Sequence, residues 1–100
     1  MTTELRLYTI NRGMMDEWLA AFAKHIMPTS AQFGIKIHVA MVNRPQNEFI
    51  WVRSYEDAAT LEKYNTSPER AAYSGVTGPC VAKTEVREVD VAIGGLSVAN

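Results

Sequence analysis

Glu4-Leu5-Arg6-Leu7-Tyr8-Thr9-Ile10 reads as a β-strand whose two faces carry different chemistry. Successive strand side chains point to opposite sides, so Leu5 and Leu7 share one face while Glu4, Arg6 and Tyr8 share the other. Glu48 to Tyr55 repeats the arrangement, with Ile50 and Val52 on one side and Phe49, Trp51, Arg53 and Tyr55 on the other. The aliphatic faces are expected to form the core, and the aromatic, cationic faces the site.

Between these strands, Asn11-Arg12-Gly13 is a turn, and Met14 to Phe33 has the pattern of a helix with Met15, Trp18, Leu19, Phe22 and Ile26 on one face. Asp16 and Glu17 suit the positive end of its dipole, and Gly34 stands where a left-handed cap is wanted. Pro28 lacks the amide that would bond the Lys24 carbonyl, which predicts a kink or break near His25 to Pro28. Ile35 to Val42 alternates as a strand, placing Ile37 and Val39 with the aliphatic face and His38 with the aromatic one. The loop Asn43-Arg-Pro-Gln-Asn47 joins it to Glu48–Tyr55 as a hairpin.

Ser54-Tyr-Glu-Asp57 has the form of a capping box, so Ser54 is expected to cap a second helix. Ser67-Pro68-Glu69 starts a further short helix reaching about Tyr73, and Gly75 to Pro79 ends it. The last strand spans Val81 to Ile93, where Val86 has one parity and Val89, Val91 and Ile93 the other; a bulge near Arg87 reconciles them. Residues 94–100 are expected to fray.

The order strand, helix, strand, strand, helix, strand matches the ferredoxin-like βαββαβ unit, an α+β fold with a four-stranded antiparallel sheet and helices on one face. Right-handed crossovers put the first and third strands in the middle. The open face would then carry Arg6, Tyr8, His38, Phe49, Trp51, Arg53 and Tyr55. Aromatic side chains of this kind bury roughly 150–250 Å² each, so the face calls for a cover, and a second copy packed about a two-fold axis is the simplest one.

A chain of 100 residues, 47% apolar and 21% charged, makes a single domain with a small core, which also favours a homodimer. Its formal charge of −1 and scattered Lys and Arg exclude the electrostatic footprint of a nucleic-acid binder. The lone Cys80 has no internal disulfide partner, the start Met-Thr-Thr-Glu has no signal-peptide pattern, and no apolar run approaches the roughly 20 residues that span a bilayer. A cytoplasmic protein with no membrane partner is expected.

These residues resemble the NIPSNAP-like members of the dimeric α/β barrel superfamily. The resemblance rests on Glu4-Leu-Arg6-Leu-Tyr8-Thr-Ile, Gly13 before an amphipathic helix, Pro28, the Phe33-Gly34-Ile35 junction and Trp51-Val-Arg-Ser-Tyr55-Glu-Asp, and covers most of residues 4 to 73. It implies a homodimer whose two sheets form a barrel, with a pocket in each protomer. The superfamily includes cofactor-independent monooxygenases, cyclases and small-molecule binding proteins, so the resemblance bears on fold more than on activity. Arg53 and His38 depart from the apolar or small residues common at those positions in relatives, which implies a more polar pocket.

On this reading Tyr8 and His38 are the candidates for moving protons, and Arg6, Trp51 and Arg53 for holding a small aromatic or anionic molecule. Each has a plainer alternative. Arg6 and Arg53 can pair with Glu4, Glu48 or Glu85, Tyr8 and Trp51 can fill the interior, and His38 can be an edge-strand residue without chemistry. His25 falls beside the proline interruption, where it either reaches a pocket mouth or ends a helix stripe. Two histidines without cysteine or carboxylate at ligand spacing give no metal site, and no phosphate loop, nucleophile elbow or nucleotide fingerprint is present, so no cofactor is expected. Enzyme and non-catalytic binding module both remain open, and they separate on whether His38 and Tyr8 converge on one cavity.

Overall fold

The computed structural model describes residues 1–95. Strand β1 (Thr2–Ile10) leads into α1 (Met15–Ala21), a π-helical segment (Phe22–Ile26) and α2 (Met27–Gln32). After β2 (Lys36–Asn43), a 3-10 turn (Arg44–Gln46) reverses the chain into β3 (Glu48–Tyr55). Helices α3 (Ala58–Asn65) and α4 (Pro68–Thr77) follow, then a 3-10 turn (Gly78–Cys80) and β4 (Val81–Glu88). The strands pair antiparallel in the order β2-β3-β1-β4, so β1 and β3 are central, as the ferredoxin-like α+β reading requires. No helix among the described residues is long and apolar enough to cross a membrane.

The faces of the sheet are the reverse of those expected. Tyr8, Ile10, Phe49 and Trp51 are buried against Trp18, Phe22 and Ile26 of the first helical stretch, with Met15, Tyr73 and Cys80 in the same core. Ile35, Tyr55 and Tyr64 form a second cluster on which Phe33 and Leu61 pack. The cross-strand pairs Leu5–Val52 and Leu7–Ile50 therefore lie on the side away from the helices, where all four are partly exposed. Volume accounts for the inversion. The gap between a sheet and helices laid over it is filled here by rings meeting edge to face, such as Phe22 with Phe49 at 4.8 Å and Phe22 with Trp51 at 5.2 Å between centroids.

Two irregularities hide this from parity alone. In β2 the register slips around His38, so that Ile37 pairs with Arg53 on the helix side while Val39 pairs with Val52 on the open side. The clean alternation of Ile35 to Val42 thus splits its aliphatic residues between both faces. In β4 the slip lies at Ala82, between the pairs Thr9–Lys83 and Ile10–Val81, and not near Arg87. That strand ends at Glu88, with the Val89 amide donating to the Thr3 carbonyl at 2.9 Å; Val91 and Ile93 lie beyond it, exposed.

The helices follow their local chemistry more closely. Pro28 stands early in α2, inside one unbroken helical stretch, and the chain meets it through a wide turn in which Met27 N–H bonds the Phe22 carbonyl five residues back, so the amide that proline lacks falls where the regular ladder is already interrupted. Gly34 ends this stretch at φ 75°, a conformation glycine adopts without strain. Ser54 does not cap α3: it is a buried β3 residue, and Asp57 is the cap, accepting from the Thr60 amide at 2.8 Å. Ser67 caps α4 as expected, though that helix runs to Thr77 rather than Tyr73. The expected fraying of 94–100 lies, from 96 onward, outside the described residues.

Candidate functional site

The helix side of β1 and β3 carries a charged cluster at the edge of the aromatic core. Glu4 Oε1 accepts from Arg53 Nε at 2.8 Å and from Arg6 Nη1 at 2.9 Å, while Glu4 Oε2 accepts from the Tyr55 hydroxyl at 2.9 Å. Arg53 pairs directly across the strands with Glu4, and Arg6 with Trp51, which fixes these neighbours. Both guanidinium groups lie near the Trp51 ring, Arg53 at 5.5 Å and Arg6 at 5.7 Å from its centroid. Burial pushes the Glu4 carboxyl upward, but the hydrogen bond and charge of Arg53, with Tyr55 and Arg6, outweigh it and hold Glu4 below its ordinary value. Burial likewise works against the Arg6 cation, and Tyr8 and Glu4 more than offset it.

Beside this cluster a cleft of ≈ 210 Å³ opens between sheet and helices. Its sheet wall is Arg6, Tyr8, Trp51 and Arg53; Trp18 and Ile26 come from the first helical stretch, and Tyr64, Arg70 and Tyr73 from α3 and α4. The Tyr8 hydroxyl accepts from Arg6 Nε at 3.0 Å, which leaves its own proton free to be donated. Tyr64 and Tyr73 share a hydrogen bond between their hydroxyls; burial and that bond raise the Tyr73 pKa. His25 stacks on Tyr73 with ring centroids 5.5 Å apart. Trp18 Nε1 and Trp51 Nε1 are buried without a hydrogen-bond partner among the described residues, an exception to the usual pairing of buried donors.

Of the five residues singled out from the sequence, Arg6, Tyr8, Trp51 and Arg53 therefore meet at one cleft, on the helix side of the sheet. His38 does not join them. It is exposed, sits at the slip in β2 outside the cleft lining, and its Nε2 lies 2.7 Å from Ser54 Oγ. Tyr8 and His38 do not converge, and the sequence reading missed Trp18, Tyr64, Arg70 and Tyr73. A signal for the last two was available: Arg70 and Tyr73 are three apart in the helix opened by Ser67-Pro68, and such residues share a face. Among the described residues no group of three or more His, Cys, Asp or Glu converges as metal ligands do.

The family model described as NIPSNAP matches residues 3–84. None of the curated proteins matches the sequence. Among solved structures, the chain is similar to an uncharacterized NIPSNAP domain protein from Burkholderia xenovorans, at 19% identity over 97% of this chain and 100% of that one, with TM-score 0.82. It is similar to a NIPSNAP family protein from Agrobacterium tumefaciens at 19% identity, over 88% and 90% of the two chains, with TM-score 0.79. A candidate antibiotic biosynthesis monooxygenase from Bacteroides thetaiotaomicron aligns at 19% identity over 98% and 95%, with TM-score 0.77. At these identities the structural likeness carries the fold alone.

Proposed function

The chain belongs to the NIPSNAP family, and from that premise we propose that it is a homodimer in which each protomer takes a small aromatic or anionic molecule into the cleft between sheet and helices. The observation that carries this reading is the convergence of Tyr8, Trp51, Tyr64, Tyr73 and three arginines on one opening. Rings supply flat apolar walls, and guanidinium groups supply directed donors for an anion. In a catalytic role of the cofactor-independent monooxygenase or cyclase kind, Tyr8 donates its free proton to the guest, and Arg6, already bonded to that hydroxyl, stabilises the phenolate left behind. Arg6 and Arg53 act mainly by placing charge beside the guest, because Glu4 already holds one donor of each. His38 has no part in this cleft; its role in proton transfer would need a guest on the open side of the sheet.

A second reading, a binding module without turnover, is favoured by one specific feature. Neither an imidazole nor a carboxylate lines the cleft among the described residues, so no general base of ordinary strength is in place. The two readings part on a paired measurement with electron-rich phenols: binding by calorimetry and oxygen uptake in the same samples. Binding with uptake that falls at least tenfold in Tyr8→Phe supports the enzyme; binding without uptake supports the module. Ser74→Trp, at an exposed position on the cleft rim, should abolish binding in either case. Unchanged binding in that variant would show that the guest lies elsewhere.

The dimer part of the proposal is supported by the open face. Leu5, Leu7, Val39, Ile50 and Val52 form an aliphatic surface on the uncovered side of the sheet, with Met41 exposed beside them. A contiguous apolar surface of this kind marks an interaction site, and a second copy of the same face covers it symmetrically.

A further inference from the structure

We propose that the cleft is built for a small molecule carrying two carboxylates, one held against Arg6 and Arg53 on the sheet and the other against Arg70 on α4. The inference rests on the reading of the cleft as a small-molecule site and adds its charge class. Among the described residues three arginines line the cleft and no Asp or Glu does. Beside the cleft, on the same side of the sheet, Glu4 is a single carboxylate shared by two guanidinium groups, so one positive charge is left over. Glu88, opposite Glu4 across β1 and β4, is exposed, and the ion pairs among the described residues do not join it to either arginine. Arg53 is bonded through Nε, and among the described residues its two terminal nitrogens have no hydrogen-bond partner, although the side chain is only 7% exposed.

Arg70 is a second, separate cation. It has no carboxylate partner among the described residues and lies 5.9 Å from the centroid of the Tyr64 ring, a contact that steadies its planar group over the helix wall. It occupies the third position of α4, where Ser67 caps its own amide. A cation in the first turn of a helix opposes the helix dipole, and the neighbouring Glu69 points elsewhere, since adjacent helix residues do not face each other. A charge placed against the local field and left without a partner beside a cleft is suited to an anion that arrives from solution. One anionic group satisfies the sheet cluster; only a second satisfies Arg70.

The test is calorimetric titration of the full chain with benzoate, phthalate, isophthalate and terephthalate, which vary charge and carboxylate spacing on one ring. At least one dicarboxylate should bind about tenfold or more tighter than benzoate, as expected for an added charge-assisted contact. Arg70→Gln should remove that preference, weakening the dicarboxylate about tenfold more than it weakens benzoate, and Arg70→Lys should keep part of it. Because Arg70 is exposed, both variants should fold, which an unchanged melting temperature verifies. If benzoate binds and no dicarboxylate binds more tightly, or if Arg70→Gln weakens both alike, the inference falls and the small-molecule reading stands. If none of the four compounds binds, both fall.

Discussion

Arg53 donates from Nε to Glu4 Oε1 at 2.8 Å across the central pair of strands, and the same oxygen accepts from Arg6. Glu4→Gln removes the carboxylate that Arg6 and Arg53 share and leaves two largely buried cations together. It should cost about 3 kcal/mol at neutral pH, the lower end for breaking a buried ion pair, because the amide oxygen still accepts.

The same variant has a defined pH signature. The folded-state pKa of Glu4 is held below its ordinary value, so its stabilisation is complete above the unfolded value of about 4.3 and fades as pH falls through the folded one. Urea midpoints of parent and variant should therefore converge below about pH 4. A gap that persisted undiminished at lower pH would mean that Glu4 stabilises by packing rather than by charge.

Tyr73 gives the opposite dependence. Its pKa is raised in the fold by burial and by the bond to Tyr64, so that contribution is present below the ordinary tyrosine value and lost as pH rises through the folded one. Tyr73→Phe should cost about 1–3 kcal/mol near neutrality, since it leaves the buried Tyr64 hydroxyl without its partner. The difference from the parent should narrow in alkaline solution above about pH 10. Equal stability at pH 7 would show that water replaces the lost hydroxyl.

Ser67 accepts from the Arg70 amide at 3.1 Å and donates to the Tyr64 carbonyl at 2.7 Å, joining the start of α4 to the end of α3. Ser67→Ala should lower stability by about 0.5–2 kcal/mol through the lost cap. Ser54→Ala removes no cap and breaks only the contact with His38. Amide exchange distinguishes the two: faster exchange in the first turn of α4 is expected for Ser67→Ala alone.

The open sheet face yields a prediction for assembly. Leu5→Glu puts a charge beside Val52 on the aliphatic surface, on the opposite face of the sheet from Arg6, Tyr8 and the cleft. Sedimentation should show a dimer for the parent and at least tenfold weaker association for the variant, with small-molecule binding retained. A parent that stays monomeric at micromolar concentration would refute the dimer.

The strand and helix order, the hairpin, the central pair of strands and the Ser67 cap were legible in the sequence, because each is written in local periodicity or turn chemistry. So was the grouping of Arg6, Tyr8, Trp51 and Arg53, which parity alone fixes. Which side of the sheet they occupy was not. Parity separates two faces without ordering them, and a preference for aliphatic cores pointed the wrong way. Trp18 and Phe22 on the first helix held the missing information, since large rings on a helix pack well against large rings on a sheet. The slip at His38 was illegible for a different reason. A bulge is decided by pairing with the neighbouring strand, and Ile35 to Val42 alternates without a break.

The π-helical segment at Phe22–Ile26 keeps a helix of surplus length in phase with its core. Met27 N–H reaches back five residues to the Phe22 carbonyl, so the wide turn takes up one extra residue locally, and Trp18 before it and Ile26 at its end face the same core. In a stretch of even pitch that residue would turn everything after it by about 100° about the helix axis, the angle one residue subtends, and Ile26 would leave the core it shares with Phe22 and Trp51. Deleting Ala23 or Lys24 removes the surplus and preserves the phase, but it sets Pro28 in a regular turn, where its ring meets the carbonyl four residues back. The widening thus reconciles a proline with an uninterrupted helix.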